Sequence, residues 1–189
     1  MEYTIALFLH VSGAIGLFVA MSLYLVSVVY MRKAQTVEQV RDWISLAAKA
    51  GPGIGGSSLL LLVPAIYMVV TVWGFGTPWV LASLIVFVLQ WVLGTIIGGR
   101  HAATVFQLAK AAPPGPVSSA LREQISSPAL WSGEVIRIAL LVGVVFLMTN
   151  KPELTGTLIA LGVALVLGLI SALLLARIGP SRQQGEVPV

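Results

Sequence analysis

Long runs of apolar residues, separated by short polar or glycine- and proline-containing breaks, set the pattern of this chain. A helix needs about 20 mostly apolar residues to cross about 30 Å of hydrocarbon. Five runs are long enough, at residues 3–31, 54–73, 78–99, 130–149 and 153–178. The pattern predicts an all-α protein, a polytopic membrane helix bundle with five transmembrane helices. We expect residues 1–180 to form this single bundle and the polar residues 181–189 to be a disordered cytoplasmic tail.

Lysines and arginines near the ends of these runs predict the orientation. If the amino terminus lies outside, the outer turns hold a single cation, Lys151. The cytoplasmic segments then hold nine: Arg32, Lys33, Arg41, Lys49, Arg100, Lys110, Arg122, Arg177 and Arg182. Because cytoplasmic loops are rich in lysine and arginine, we expect the amino terminus outside and the carboxyl terminus inside, in an inner (plasma) membrane. The net charge of +4 is then a topology signal, and it predicts no nucleic-acid partner.

The polar segments between the runs predict two further features. Apolar residues recur at helical spacing over residues 34–50, which predicts a short amphipathic helix on the inner interface with Trp43 as an anchor. Gly51-Pro52-Gly53 is expected to break that helix and turn the chain into the second span. Residues 100–112 can continue the third helix past the membrane.

Composition narrows the class of protein. Apolar residues make up 58% of the chain and charged residues 10%, and the mean hydropathy is +0.98. Soluble domains are about a quarter charged, so this composition excludes a soluble globule and makes the lipid bilayer the expected partner. The chain has no cysteine, which excludes disulfides, thiolate metal sites and thiol catalysis. No catalytic triad, carboxylate pair or phosphate-binding glycine loop is visible, so the sequence does not indicate an enzyme.

Glu134 and Arg137 are two charged residues that must lie within the fourth span if that span is to cross the membrane. Only 12 residues, 138–149, follow Arg137 before the outer turn, and they make about 18 Å of helix. The span must therefore include both charges, at about 2.5–3.5 kcal/mol each for mid-bilayer positions. Their i, i+3 spacing places them on one face, where they can pair. Two interpretations stay open: a structural pair near the inner interface, or a proton or ion relay facing the bundle interior.

Three more polar residues complete a predicted polar intramembrane cluster on the inner side. They are Lys49, Arg100 and His101. Lys49 or Arg100 can form a salt link with Glu134, whereas Arg100 with His101 can also be a simple interfacial basic pair. At mid-span, Gln90 is expected to form a hydrogen bond between helices.

His10 is the second candidate for chemistry. It lies about 10 Å from the outer end of the first helix, and Gly13 and Ala14 leave space on its face. A neutral imidazole there can ligate haem iron, and Met68 lies at a similar depth and can complete a His/Met pair. His101 lies roughly 20 Å away along the membrane normal and cannot share a metal with His10. A hydrogen-bonded packing histidine is the alternative, and without haem the sequence predicts no cofactor.

Small residues recur in the first and last spans at positions where helices can approach closely in lipid. They are Ser12, Gly16, Ala20, Gly156, Gly162, Gly168 and Ala172. Packing inside the bundle is one interpretation, and a homo-oligomer interface is the other.

Four short motifs carry a family resemblance: Leu7-Phe8-Leu9-His10-Val11-Ser12-Gly13-Ala14, Gly51-Pro52-Gly53, Trp73-Gly74-Phe75-Gly76-Thr77-Pro78-Trp79 and Gly98-Gly99-Arg100. Together they resemble a family of bacterial predicted integral membrane proteins grouped as a domain of unknown function. The resemblance covers roughly residues 3–110 and implies a helical membrane protein without an assigned activity. The short motif around His10 also resembles the first helix of copper-resistance D and cytochrome-b-like membrane families. In those families a helix histidine can serve as a ligand.

These observations predict a small non-enzymatic integral membrane protein. It would be a transport or channel-like bundle, or a subunit of a larger membrane assembly, with Glu134 and Arg137 as its polar centre. The alternative is a b-type haem electron-transfer module with His10 as axial ligand. A structural or lipid-organising membrane protein is the third possibility.

Overall fold

The computed structural model describes residues 1–177, which are helical apart from short turns and contain no β-strand. Seven α-helices follow one another: α1 (Glu2–Met31), α2 (Val37–Met68), α3 (Pro78–Leu93), α4 (Gly99–Ala111), α5 (Ser119–Ile125), α6 (Pro128–Asn150) and α7 (Leu154–Arg177). A π-helical turn extends α2 over Val69–Trp73, and another joins α3 to α4 over Gly94–Gly98. The predicted tail at residues 181–189 lies outside the described residues.

Five stretches of this chain are long and apolar enough to cross a membrane. They are Glu2–Met31, Val37–Trp73, Pro78–Ala111, Trp131–Asn150 and Leu154–Ala176. The prediction of an all-α bundle with five candidate membrane-spanning helices is therefore confirmed for the described residues. Large apolar side chains cover the outside of the bundle; Phe8, for example, is 68% exposed and Leu173 is 66% exposed. An apolar surface of this extent suits lipid rather than water.

The path of α2 differs from the sequence prediction. Residues 37–50 are helical, but they belong to the same helix as the second span, and Gly51-Pro52-Gly53 lies inside it. The predicted break is therefore wrong, and residues 34–50 form no separate helix. α2 packs closely against α1 at this point, since a methyl group on Gly53 would lie 3.3 Å from Cβ of Ala20. Tertiary contacts of this kind routinely override the weak local preference of glycine and proline.

The third span extends far beyond the predicted residue 99. α3, the π turn and α4 follow one another without interruption from Pro78 to Ala111, so the predicted continuation of the third helix is confirmed. Arg41 of α2 binds the end of α4, donating from Nε to the carbonyl of Ala109 at 3.0 Å and from Nη2 to that of Ala112 at 2.7 Å. These bonds satisfy carbonyl groups that a helix end leaves without intrahelical partners.

A compact apolar cluster closes the same end of the bundle. It is formed where the end of α1, the start of α2, α4 and α5 meet, by Met31, Ala34, Val37, Val40, Val105, Ala109, Leu121 and Ile125. The end of α1, the start of α2, α4 and α5 therefore form a folded cap around this cluster.

Glycine allows the backbones of α1 and α2 to touch. A methyl group on Gly13 would lie 2.7 Å from the carbonyl carbon of Leu60 and 2.8 Å from Cα of Leu61. On α7, a methyl group on Gly168 would lie 3.0 Å from Cβ of Ala139 in α6. Gly16 makes room for a side chain of α2, since a methyl group on it would lie 2.6 Å from the hydroxyl oxygen of Ser57. Packing inside the bundle thus uses Gly16 and Gly168, two of the small residues singled out in the sequence.

We expect Gly13→Ala to lower the free energy of unfolding by about 1–3 kcal/mol, because the added methyl overpacks the contact with α2. The matched control is Gly55→Ala in α2, where nothing lies within 4 Å of the added methyl. That change should be neutral or slightly stabilising through helix propensity. Unfolding in mixed micelles with a rising fraction of sodium dodecyl sulfate measures both variants. Equal stability of the two would contradict the close approach.

Candidate functional site

Glu134 and Arg137 form an ion pair within α6, in which Arg137 Nη1 donates to Glu134 Oε1. The spacing of three residues places both side chains on one face of the helix. Glu134 is only 5% exposed. A carboxylate buried to this degree requires a charged or hydrogen-bonding partner, and Arg137 supplies it.

Gln90 of α3 ties this ion pair to a second helix. Its Oε1 accepts from Arg137 Nε at 3.1 Å, and its Nε2 donates to the backbone carbonyl of Arg137 at 2.6 Å. Gln90 is itself 5% exposed. One amide side chain therefore satisfies two groups of Arg137 and joins α3 to α6. We call Gln90, Glu134 and Arg137 the interhelical clamp.

Gly94 makes room for the guanidinium of Arg137. A methyl group on Gly94 would lie 2.5 Å from Arg137 Nη2 and 2.7 Å from Cζ. Gly94 begins the π turn that follows α3, and such turns are often found at sites with special requirements. The sequence analysis did not single out Gly94. Its spacing of four residues from Gly98, within a mostly apolar run, is the sequence signal that could have identified it.

The other members of the predicted polar cluster lie apart from the clamp. Among residues 1–177, neither Lys49 nor Arg100 forms an ion pair with Glu134, and both are exposed. His101 donates from Nε2 to the carbonyl of Gln124 at 2.9 Å, which ties α4 to α5. The structure therefore brings together Glu134 and Arg137 but not Lys49, Arg100 and His101 with them.

A cavity of about 650 Å³ lies at the other end of the bundle, where α1 begins. Its walls come from α1, α2 with its π turn, α3 and α6, and most of them are aliphatic or aromatic. The polar side chains in its lining are Tyr3, His10, Ser83, Thr149 and Lys151. Glu134 and Arg137 are not part of this lining, so the clamp and the cavity are separate sites.

His10 and Met68 both line this cavity. Nδ1 of His10 lies 2.8 Å from the carbonyl oxygen of Leu61. Because a carbonyl only accepts, Nδ1 is the donor in this hydrogen bond, and in a neutral imidazole Nε2 then keeps the lone pair. Metal-ligating histidines have this arrangement, in which the nitrogen that does not bind the metal donates to a backbone carbonyl. A hydrogen-bonded packing histidine has it as well, so both interpretations of His10 stay open.

Aromatic rings and one cation border the cavity near the turns that follow α2 and α6. Trp73 and Trp79 meet edge to face with ring centres 5.2 Å apart. Lys151 Nζ lies 4.3 Å from the centre of the Trp73 ring, within the range of a cation–π contact. Lys151 has a left-handed backbone conformation (φ 49°) at the end of α6, which begins the turn towards α7.

We expect the clamp to behave as one coupled unit. Glu134→Gln leaves Arg137 as a buried charge without its counter-ion and should cost about 3–5 kcal/mol of unfolding free energy. The double variant Glu134→Gln/Arg137→Gln removes both charges and should recover much of that loss. Unfolding measurements on the single and double variants test this, and additive losses would show that the two residues are not coupled.

Comparison with known proteins supplies no relative from which a function can be transferred. No family model, curated protein or solved structure matches the chain. The resemblance to bacterial integral membrane proteins therefore stays a prediction, and the function must be inferred from the contacts described above.

Proposed function

We propose that this chain is an integral protein of an inner membrane that binds a small, mostly apolar molecule in the cavity of about 650 Å³. That cavity is the observation on which the proposal rests. Ligand sites have volumes of about 300–1,000 Å³, with apolar walls and a few polar groups that orient the ligand, and this cavity matches both features. A binding protein is favoured over an ion or proton relay, because the interhelical clamp is internally bonded and is not part of the cavity lining.

Charge supports an orientation with the amino terminus outside. Arg41 and Arg122 take part in the folded cap at one end of the bundle, through bonds to the ends of α4 and α1. Lys151 lies at the opposite end, beside the cavity. With the cationic cap inside, the cavity opens in the outer half of the membrane.

The distribution of polar groups indicates how a ligand would lie. Tyr3, Thr149 and Lys151 come from the outer ends of α1 and α6, whereas His10 and Met68 lie deeper along α1 and α2. An amphipathic molecule would therefore place an anionic or hydrogen-bonding head near Lys151 and its apolar body along the deeper wall.

A brominated long-chain fatty acid is a suitable probe, because bromine quenches the fluorescence of the nearby Trp73 and Trp79. We expect saturable quenching of the protein in nanodiscs. Filling the cavity with Ala14→Phe or Ala65→Phe should weaken binding at least about tenfold, since the lost volume displaces the apolar body.

The control is Ala176→Phe, which adds the same ring to an exposed position of α7. It should leave the quenching curve unchanged. If Ala14→Phe and Ala65→Phe give the same quenching curve as Ala176→Phe, the fatty acid partitions into lipid without entering the cavity.

As a second candidate we propose a b-type haem module, supported by the tautomer of His10 and by Met68 in the same cavity lining. His10 through Nε2 and Met68 through its thioether would hold the iron, and haem would supply one-electron transfer. His10 and Met68 are a donor pair that haem proteins use, and the apolar walls suit a porphyrin.

The two histidines of the chain provide a matched test of this candidate. Titration of the purified protein with haemin should give a Soret band that His10→Ala abolishes and His101→Ala leaves intact, because only His10 lines the cavity. The visible spectrum measures this. If wild type and both variants give the spectrum of free haemin, the haem candidate is wrong, while binding of the fatty-acid probe remains a separate measurement.

A further inference from the structure

At the capped end of the bundle, α1 ends beside the start of α6. Arg32 directly follows α1, and its guanidinium carbon lies 4.5 Å from the centre of the Trp131 ring in the first turns of α6. Arg122 of α5 donates from Nη1 to the backbone carbonyl of Arg32 at 3.2 Å. We call Arg32, Arg122 and Trp131 the basic corner.

Two donors of the basic corner have no acceptor within the described part of the chain. They are Arg32 Nε and Trp131 Nε1, and both atoms are buried. Trp131 as a whole is only 2% exposed. A buried donor without a partner costs about 1–3 kcal/mol, so a ligand with acceptor oxygens would gain from binding here.

Arg32 and Arg122 give the basic corner two positive charges. Burial lowers the pKa of Arg32 below its ordinary value, yet a guanidinium stays protonated at neutral pH. Ser127 precedes α6 and its side chain makes no capping hydrogen bond, while Pro128 is the first helical residue. The positive end of the α6 dipole therefore adds to the charges of Arg32 and Arg122.

We propose that the basic corner binds a phosphate group, supplied by the headgroup of an anionic phospholipid. A guanidinium binds phosphate through paired, charge-assisted hydrogen bonds, and the free indole N–H of Trp131 provides a further donor. Arg32 directly follows an apolar stretch long enough to cross a membrane, and we therefore place it at the depth of lipid headgroups. In the orientation proposed above, the lipid would belong to the inner leaflet, which is the anionic one.

Lys33 provides the control that distinguishes binding at this site from general attraction of anionic lipid to a positively charged surface. It follows Arg32 directly and carries the same charge, but it is exposed and lies 5.5 Å from the ring of Tyr30. Lys33→Gln and Arg32→Gln therefore change the net charge equally. Trp131→Phe removes the N–H donor together with part of the buried indole ring, and it keeps an aromatic ring beneath Arg32.

The experiment measures how fluorescently labelled phosphatidylglycerol, which has an anionic headgroup, binds to the protein in phosphatidylcholine nanodiscs. We expect binding to weaken about tenfold in Arg32→Gln and about threefold to tenfold in Trp131→Phe, with little change in Lys33→Gln. Symmetric nanodiscs present the lipid to both faces, so the result does not depend on the proposed orientation. If Arg32→Gln fails to fold, Trp131→Phe still tests the site.

A second arm adds inorganic phosphate to phosphatidylcholine nanodiscs without phosphatidylglycerol. Thermal stabilisation by phosphate, lost in Arg32→Gln, would support the phosphate site but identify a soluble ligand as its source. Stabilisation by phosphatidylglycerol alone would identify the lipid. Equal weakening of lipid binding in Arg32→Gln and Lys33→Gln, or no weakening in Arg32→Gln and Trp131→Phe, would overturn the proposal.

Discussion

Hydrocarbon offers no hydrogen-bond partners, so a polar group inside this bundle needs a partner from the chain itself. The buried hydroxyls of Ser27 and Ser83 donate to carbonyls one turn earlier in their own helices. His10 donates to Leu61, and the interhelical clamp satisfies Arg137 through Glu134 and Gln90. The basic corner differs, because Arg32 Nε and Trp131 Nε1 are buried without an acceptor from the described part of the chain. These two donors are the reason for proposing a ligand there.

The same constraint explains why the helices are long. Breaking α2 at Gly51-Pro52-Gly53 would expose backbone groups, whereas the continuous helix keeps most of them bonded. Gly13 and Gly94 have a different role, because each removes a side chain where another group must fit. At Gly13 that group is the backbone of α2, and at Gly94 it is the guanidinium of Arg137.

The features that could be predicted from the sequence are those that depend on the length, spacing and composition of its apolar and charged segments. The five spans follow from runs of apolar residues, and the contact of Glu134 with Arg137 follows from their spacing and from the cost of an unpaired charge. The break after residue 50 was predicted from local preferences, which the packing of α2 against α1 overrides. The cavity and the basic corner could not be predicted, because each needs the relative positions of several helices. Arg32 and Trp131, for instance, are far apart in the chain and no periodic pattern relates them.

The clamp lies one helical turn from the cavity on both helices that it joins. Phe87 of α3 lines the cavity just before Gln90, and Leu141 of α6 lines it just after Arg137. The hydrogen bonds between Gln90 and Arg137 thus join α3 and α6 at one end of the cavity, and at the other end Trp79, Val80 and Leu147 lie in one buried apolar cluster, so the wall that these two helices form is held at both levels.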